Sequence, residues 1–229
     1  MMRCILALDL LGGVVVRGVR GDRDRYRPIN EYSKVVATSV PAEVIRTMRP
    51  RETYIADLDR ITGRGDNLRV IAELSQITRT LVDAGARLPG DVARLRPVSR
   101  SVILGTETAS LPLIRESDGS DTIVSVDMRA GQMVAVDPAF RRSPLEVVRM
   151  LDDFTLDAII LLDVARVGSG EGVDFDLLAS AASASRHPII AGGGVRDMDD
   201  LDRINAAGGA GAIVASAVHS GVIPLQVIH

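Results

Sequence analysis

Eight short apolar runs rich in Val and Ile, each followed by a more polar, helix-like stretch, limit this chain to few folds. The sequence predicts strands at Arg3–Asp9, Thr53–Leu58, Arg79–Asp83, Ser101–Gly105, Thr122–Asp127, Ala158–Asp163, Pro188–Ala191 and Gly211–Ala215. Most runs are continuously apolar instead of alternating, as expected of parallel strands covered on both faces. Between them lie amphipathic stretches such as 66–76, 143–153, 174–184 and 197–206, several opening on Ser or Asp, which suit N-caps. Pro144 suits a first helical position. Strand and helix alternating eight times predict an α/β chain folded as a (β/α)8 TIM barrel. With 229 residues it is a compact one, a single domain over 1–229.

The chain also repeats itself. CILALDLLGGVVV (4–16) aligns with TIVSVDMRAGQMV (122–134), each an apolar strand reaching an Asp with a Gly four residues later. DLDRI aligns with DVARV, DAGARLPGDVARL with GGGVRDMDDLDRI, and VILGTET with AIVASAV, all in the same order at offsets of roughly 106 to 118 residues. Four pairs in register imply a duplicated half-barrel, about 1–119 and 120–229. The first half carries an extra segment, 18–40, with a charged stretch at 20–27, and is a candidate lid.

Composition closes other routes. Cys4 is the only cysteine and the three histidines are scattered, so no intrachain disulfide forms and no metal site is expected. Net charge is −3 and aromatic residues are 3%, which disfavours nucleic-acid binding. No window approaches a spanning helix, and the first residues lack a leader pattern, so a soluble, cytoplasmic protein is expected. Lys34 is the one lysine, leaving Schiff-base chemistry a single candidate.

In such barrels the strand C-termini and the loops after them form the active face. Asp9 and Asp127 end strands one and five, on opposite sides of the mouth, and are the candidate catalytic pair: two carboxylates can divide acid and base roles when their surroundings separate their pKa values. The plainer reading is two loop-capping aspartates. Gly192, Gly193 and Gly194 after strand seven, with Ala215 and Ser216 after strand eight, form the candidate phosphate site, where backbone N–H groups meet the anion. The first-half equivalent, Gly85 and Thr106, is a second candidate weakened by Asp83. Asp57, Asp59 and Asp163 are candidate contacts to substrate hydroxyls, or structural partners of Arg60 and Arg166.

The segments ILALDLLGGVVVRGVRGD, VSVDMRAGQMV, IIAGGGVRDMDDL and GAIVASAVHSG resemble the histidine-biosynthesis barrels, the phosphoribosyl-formimino carboxamide ribotide isomerase (HisA) and its sister cyclase (HisF). The resemblance spans nearly the whole chain. It implies catalysis by Asp9 and Asp127, phosphate binding by Gly193, Gly194 and Ser216, and substrate contacts at Arg17 and Ser169. In the isomerase one aspartate protonates the ring oxygen to open an aminoaldose; the other moves the C2 proton through an enolamine to give an aminoketose. No cofactor or metal is needed. The chain departs from that pattern at Leu162, where the isomerase has a threonine, and at Val167, where its loop has an aspartate. RYRPI, YIADLDRITGRGDN and VDAGAR resemble instead a HisA-related family of methanogens and methylotrophs associated with tetrahydromethanopterin-type one-carbon cofactors. Three readings follow: an isomerase-like or lyase-like enzyme acting on a phosphorylated sugar derivative in one-carbon cofactor biosynthesis; the histidine-pathway isomerase; or an idle barrel that binds a phosphometabolite or partner protein. The expected partner is a small phosphorylated substrate, and the expected state a monomer or small homo-oligomer.

Overall fold

A computed structural model describes residues 2–229. Eight parallel strands close into a barrel: β1 (Arg3–Leu11), β2 (Glu52–Asp57), β3 (Arg79–Asp83), β4 (Ser101–Gly105), β5 (Gly119–Arg129), β6 (Leu156–Asp163), β7 (Ile189–Gly192) and β8 (Gly211–Val214). Closure is made by β8 against β1, with Arg3 beside Gly211 and Leu6 beside Val214. The expected strands are all present, and β1 and β5 run past their aspartates.

That overrun explains the repeated Asp-x-x-x-Gly. In both halves the strand turns back on itself: Leu11 pairs with Val14, and Arg129 with Gln132. The two turn residues have positive φ in each case, Gly12 and Gly13 at 59° and 80°, Ala130 and Gly131 at 52° and 75°. This is the pattern of a tight hairpin turn that matches strand twist. The glycine therefore serves the hairpin, and the aspartate lies two residues inside the strand end.

Side-chain alternation sorts the sheet into two cores. Ile5, Leu81, Ile103, Ile123, Ile160, Ile190 and their neighbours fill the barrel interior. Leu6, Leu8, Val82, Val124, Ile159 and Val214 point outward beneath the helices. Two apolar faces on one strand are why the runs read as continuously hydrophobic. The predicted caps form: Ser143 accepts from the Glu146 N–H, Asp174 from Leu177 and Asp197 from Asp200. Asn67, one residue past the expected start, occupies the cap position of the helix at Leu68–Leu74. Among the described residues no helix is long and apolar enough to cross a membrane.

Segment 18–40 lies across the barrel mouth. Ile29 and Val36 are buried in the outer core, and the Arg20 N–H donates to the Val167 carbonyl at 2.8 Å. Arg23 pairs with Glu107 at 3.1 Å and Arg20 with Glu171 at 2.7 Å. The candidate lid is thus a strap tied to the loops after β4 and β6.

Candidate active site

The strap and the strand C-termini enclose a cavity of about 470 Å³. Asp9, Asp83 and Asp127 line it, one each from β1, β3 and β5. Alternate strands contribute to one layer of a barrel interior, so these three carboxylates share a level at the mouth. Gly105 makes room for two of them: a Cβ there would lie 2.7 Å from Asp127 Oδ2 and 3.5 Å from Asp83 Oδ2. Gly18 of the strap sits directly on Asp9 and leaves no space for a side chain.

Burial of three like charges raises their proton affinity. Asp127 is pushed up to about 8 by burial and then by the Asp83 charge, against donation from the Ser125 hydroxyl and the Glu107 N–H. Asp9 rises to about 7 through burial, with Arg23 opposing and Asp83 adding to the rise. Asp83 rises to about 6, again through burial, held down by the Gly85 N–H and the Tyr54 hydroxyl. Near neutral pH the site therefore holds carboxyl groups in both protonation states, which is what proton transfer in two directions requires. Among the described residues no group of His, Cys, Asp and Glu has metal-holding geometry.

The far wall is built from loops after β7 and β8. Gly193, Gly194 and Ser216 line the cavity, as the sequence predicts. Gly193 and Gly194 have φ of 86° and 92°, and a Cβ at Gly194 would lie 2.3 Å from the Gly172 carbonyl oxygen. Only glycine fits there. The helix at Ser216 has four residues. Its dipole is correspondingly small, and the N–H donors carry what anion affinity it has. Arg17 lines the same cavity. Its guanidinium lies 3.7 Å above the Tyr32 ring, and its Nε is buried without a hydrogen-bond partner. Other arginines lining the cavity are engaged: Arg23 with Glu107, Arg129 with the Arg20 carbonyl, Arg196 with Asp200. Ser169 also lines the cavity, with its hydroxyl donated to the Arg166 carbonyl.

Several candidates fall outside the cavity. Asp57, 1% exposed, accepts from the N–H groups of Arg60 and Asn67. Asp163, 6% exposed, accepts from the N–H groups of Ala130, Gly131 and Ala165. Asp59 holds the Gly12 N–H in the same way at 2.6 Å. Asp59 and Asp163 thus hold the two hairpin turns, while Asp57 caps the turn after β2 and ties it to Asn67, so all three are engaged within the protein. Arg60 pairs with Asp91 instead of Asp57, while Arg166 lies 3.6 Å from Asp163. Thr106 is fully buried, donating to the Val134 carbonyl and accepting from the Asp127 N–H. The Gly85 N–H is spent on Asp83, and its carbonyl on Arg87. A first-half anion site at Gly85 and Thr106 has no free donors there.

His219, which the sequence suggests is a packed or surface residue, is packed: it is 1% exposed and bonded to Ser33 at 2.9 Å. Burial lowers its pKa to about 4, so it is neutral at physiological pH. Tyr54 enters the site unforeseen, and Asp83, expected only as a charge opposing a first-half anion, joins the layer of Asp9 and Asp127. The alternation Leu81-in, Val82-out, Asp83-in was the available signal.

Fold and site together define a half-barrel-duplicated (β/α)8 protein with opposed carboxylates and a glycine-lined cavity wall. The family model described as histidine biosynthesis protein matches residues 3–224, and the chain belongs to that family. A protein of Methanocaldococcus jannaschii, named only as uncharacterized, is 31% identical over 234 residues, covering 99% of this chain and 97% of that one. A Deinococcus radiodurans protein is 30% identical over 237 residues, covering 97% and 96%. One from Cenarchaeum symbiosum is 30% identical over 238 residues, covering 98% of each. The latter two are named 1-(5-phosphoribosyl)-5-((5-phosphoribosylamino)methylideneamino) imidazole-4-carboxamide isomerase.

Proposed function

We propose that this chain isomerises a phosphorylated aminoaldose to the aminoketose. The observation that carries this reading is the pair Asp9 and Asp127, raised to about 7 and 8, facing one cavity with an anion-binding wall. Asp127, the stronger proton holder, is the acid that protonates the ring oxygen and opens the sugar. Asp9, lowered relative to it by Arg23, takes the C2 proton. The electron pair left at C2 forms the enolamine double bond with C1; Asp9 then gives a proton to C1 as the C2 hydroxyl gives its proton to Asp127, which leaves the ketone at C2 and restores both carboxyl groups. Gly194, Ser216 and Arg17 hold the phosphate, and the strap keeps water off the intermediate. The names of the relatives favour the histidine-type isomerase over a role in one-carbon cofactor biosynthesis, which rests on three short segments of resemblance. Their named substrate is therefore the first to assay.

The test is conversion by purified protein, followed across pH. Asp9 must be ionised and Asp127 protonated, so kcat/KM is expected to rise through about pH 7 and fall through about pH 8. A flat profile from pH 6 to about 9 would contradict the assignment. Arg17→Ala is expected to raise KM for a phosphorylated substrate about tenfold or more with a smaller change in kcat. An unchanged KM would remove Arg17 from the phosphate wall.

One observation favours a substrate differing from the one named for the relatives. Leu162 lines the cavity beside Asp127, its register partner. A leucine offers no hydroxyl, and Val167 offers no carboxylate. Complementation of a histidine auxotroph is expected to be poor, and Leu162→Thr is expected to improve it. Robust growth with the unaltered chain would contradict this.

A further inference from the structure

Duplication gives each half an equivalent place for an anion, and the structure treats the two differently. In the second half Gly192 ends β7, and Gly193 and Gly194 after it open onto the cavity. In the first half the same position reads Asp83-Ala84-Gly85. Asp83 lines the cavity at 7% exposure, within 3.4 Å of the Tyr54 hydroxyl, and captures the Gly85 N–H at 3.0 Å. Arg87, the nearest cation in sequence, turns its guanidinium to the Gly85 and Ile61 carbonyls at 2.8 and 3.0 Å. Thr106 is spent internally. Beyond it Glu107 stands at the rim, paired with Arg23. Every group that would favour an anion on this side is used, and carboxylates line the wall.

Resting on the isomerase reading above, we infer that the substrate carries a single phosphate and that Asp83 sets this specificity. The phosphate seats at Gly194, Ser216 and Arg17. The other end, which meets Asp83 and Tyr54, bears hydroxyl or ammonium groups, since carboxylate oxygens accept hydrogen bonds and repel a second dianion. A substrate with phosphates at both ends would bring one of them against Asp83 with no free donor to receive it.

Inorganic phosphate serves as the probe, titrated calorimetrically into the full chain and located in crystals. The wild type is expected to bind one phosphate, seen beside Gly194 and Ser216. Asp83→Asn keeps an acceptor for the Gly85 N–H, so the loop stays closed but the charge is gone. Asp83→Gly also frees that N–H. A second, weaker phosphate is expected in Asp83→Gly, with affinity at least about tenfold above the wild type on that side, and a smaller gain in Asp83→Asn. Thermal melts establish that both variants are folded. Two equivalent phosphates in the wild type, or one beside Asp83, would overturn the inference while leaving the isomerase reading standing. Phosphate at neither place would overturn the phosphate wall itself, and the inference with it. A single phosphate in all three proteins would remove Asp83 as the determinant.

Discussion

Asp127→Asn is expected to abolish turnover and to stabilise the protein at alkaline pH. Loss of the acid costs about a thousandfold in kcat, within the span general acid–base catalysis commonly supplies. The stability change has a definite sign. Asp127 holds its proton up to about pH 8 when folded, while the unfolded carboxyl releases it near 3.8. The folded state therefore binds more protons between those values, and the stability associated with this group is lost as pH rises from about 4 to about 8. Asparagine carries no charge at any pH and escapes that loss. Its advantage over the wild type is expected to reach several kcal/mol at pH 9 and to vanish by pH 4. Asp9→Asn follows the same trend with a smaller gain, because its proton affinity is raised less. Melting curves of the three proteins across this range check it. A variant less stable than the wild type at pH 9 would show that Asp127 is a structural anion.

Gly194→Ala is the second large effect. The added Cβ would lie 2.3 Å from the Gly172 oxygen and 2.7 Å from its carbon, and φ is 92°. The obstacle is backbone, so either the loop after β6 or the one after β7 must move. The expected cost is about 2 to 3 kcal/mol of stability. Phosphate affinity is expected to fall about a hundredfold, since the displaced N–H groups cannot be replaced by a flexible side chain. Gly12→Ala offers a contrast: its φ is also positive, at 59°, but a Cβ there meets nothing within 4 Å. It should cost about 1 kcal/mol and leave phosphate binding alone. Equal effects of the two substitutions on phosphate affinity would refute the wall at Gly194.

The barrel was legible because burial on both faces writes a strand as an unbroken apolar run, and because the helix caps are local. The pair of aspartates at the mouth was legible because duplication printed it twice. Asp57 and Asp163 left two readings open in the sequence. Both end strands at the mouth, yet Asp57 turns to the Arg60 and Asn67 N–H groups and Asp163 to those of the β5 hairpin, and such free donors leave no mark in the sequence. Asp83 was legible as a charge but not as a member of the inner layer. Its company with Asp127 depends on Gly105, whose missing Cβ admits both carboxylates. Thr106 looked like an anion ligand by its place after β4. Only packing shows its hydroxyl committed to the Val134 carbonyl. Arg17 stood out by position, whereas its unpartnered Nε is a property of the folded cavity.

The central claim is that Asp9 and Asp127 pass a proton through an enolamine. Turnover of aminoaldose phosphates in deuterium oxide tests it most directly, the singly phosphorylated one being the substrate expected to react. The wild type is expected to give an aminoketose bearing solvent deuterium at C1, and Asp9→Asn and Asp127→Asn to give none above background. Ketose formed without deuterium and unaffected by either substitution would contradict the account.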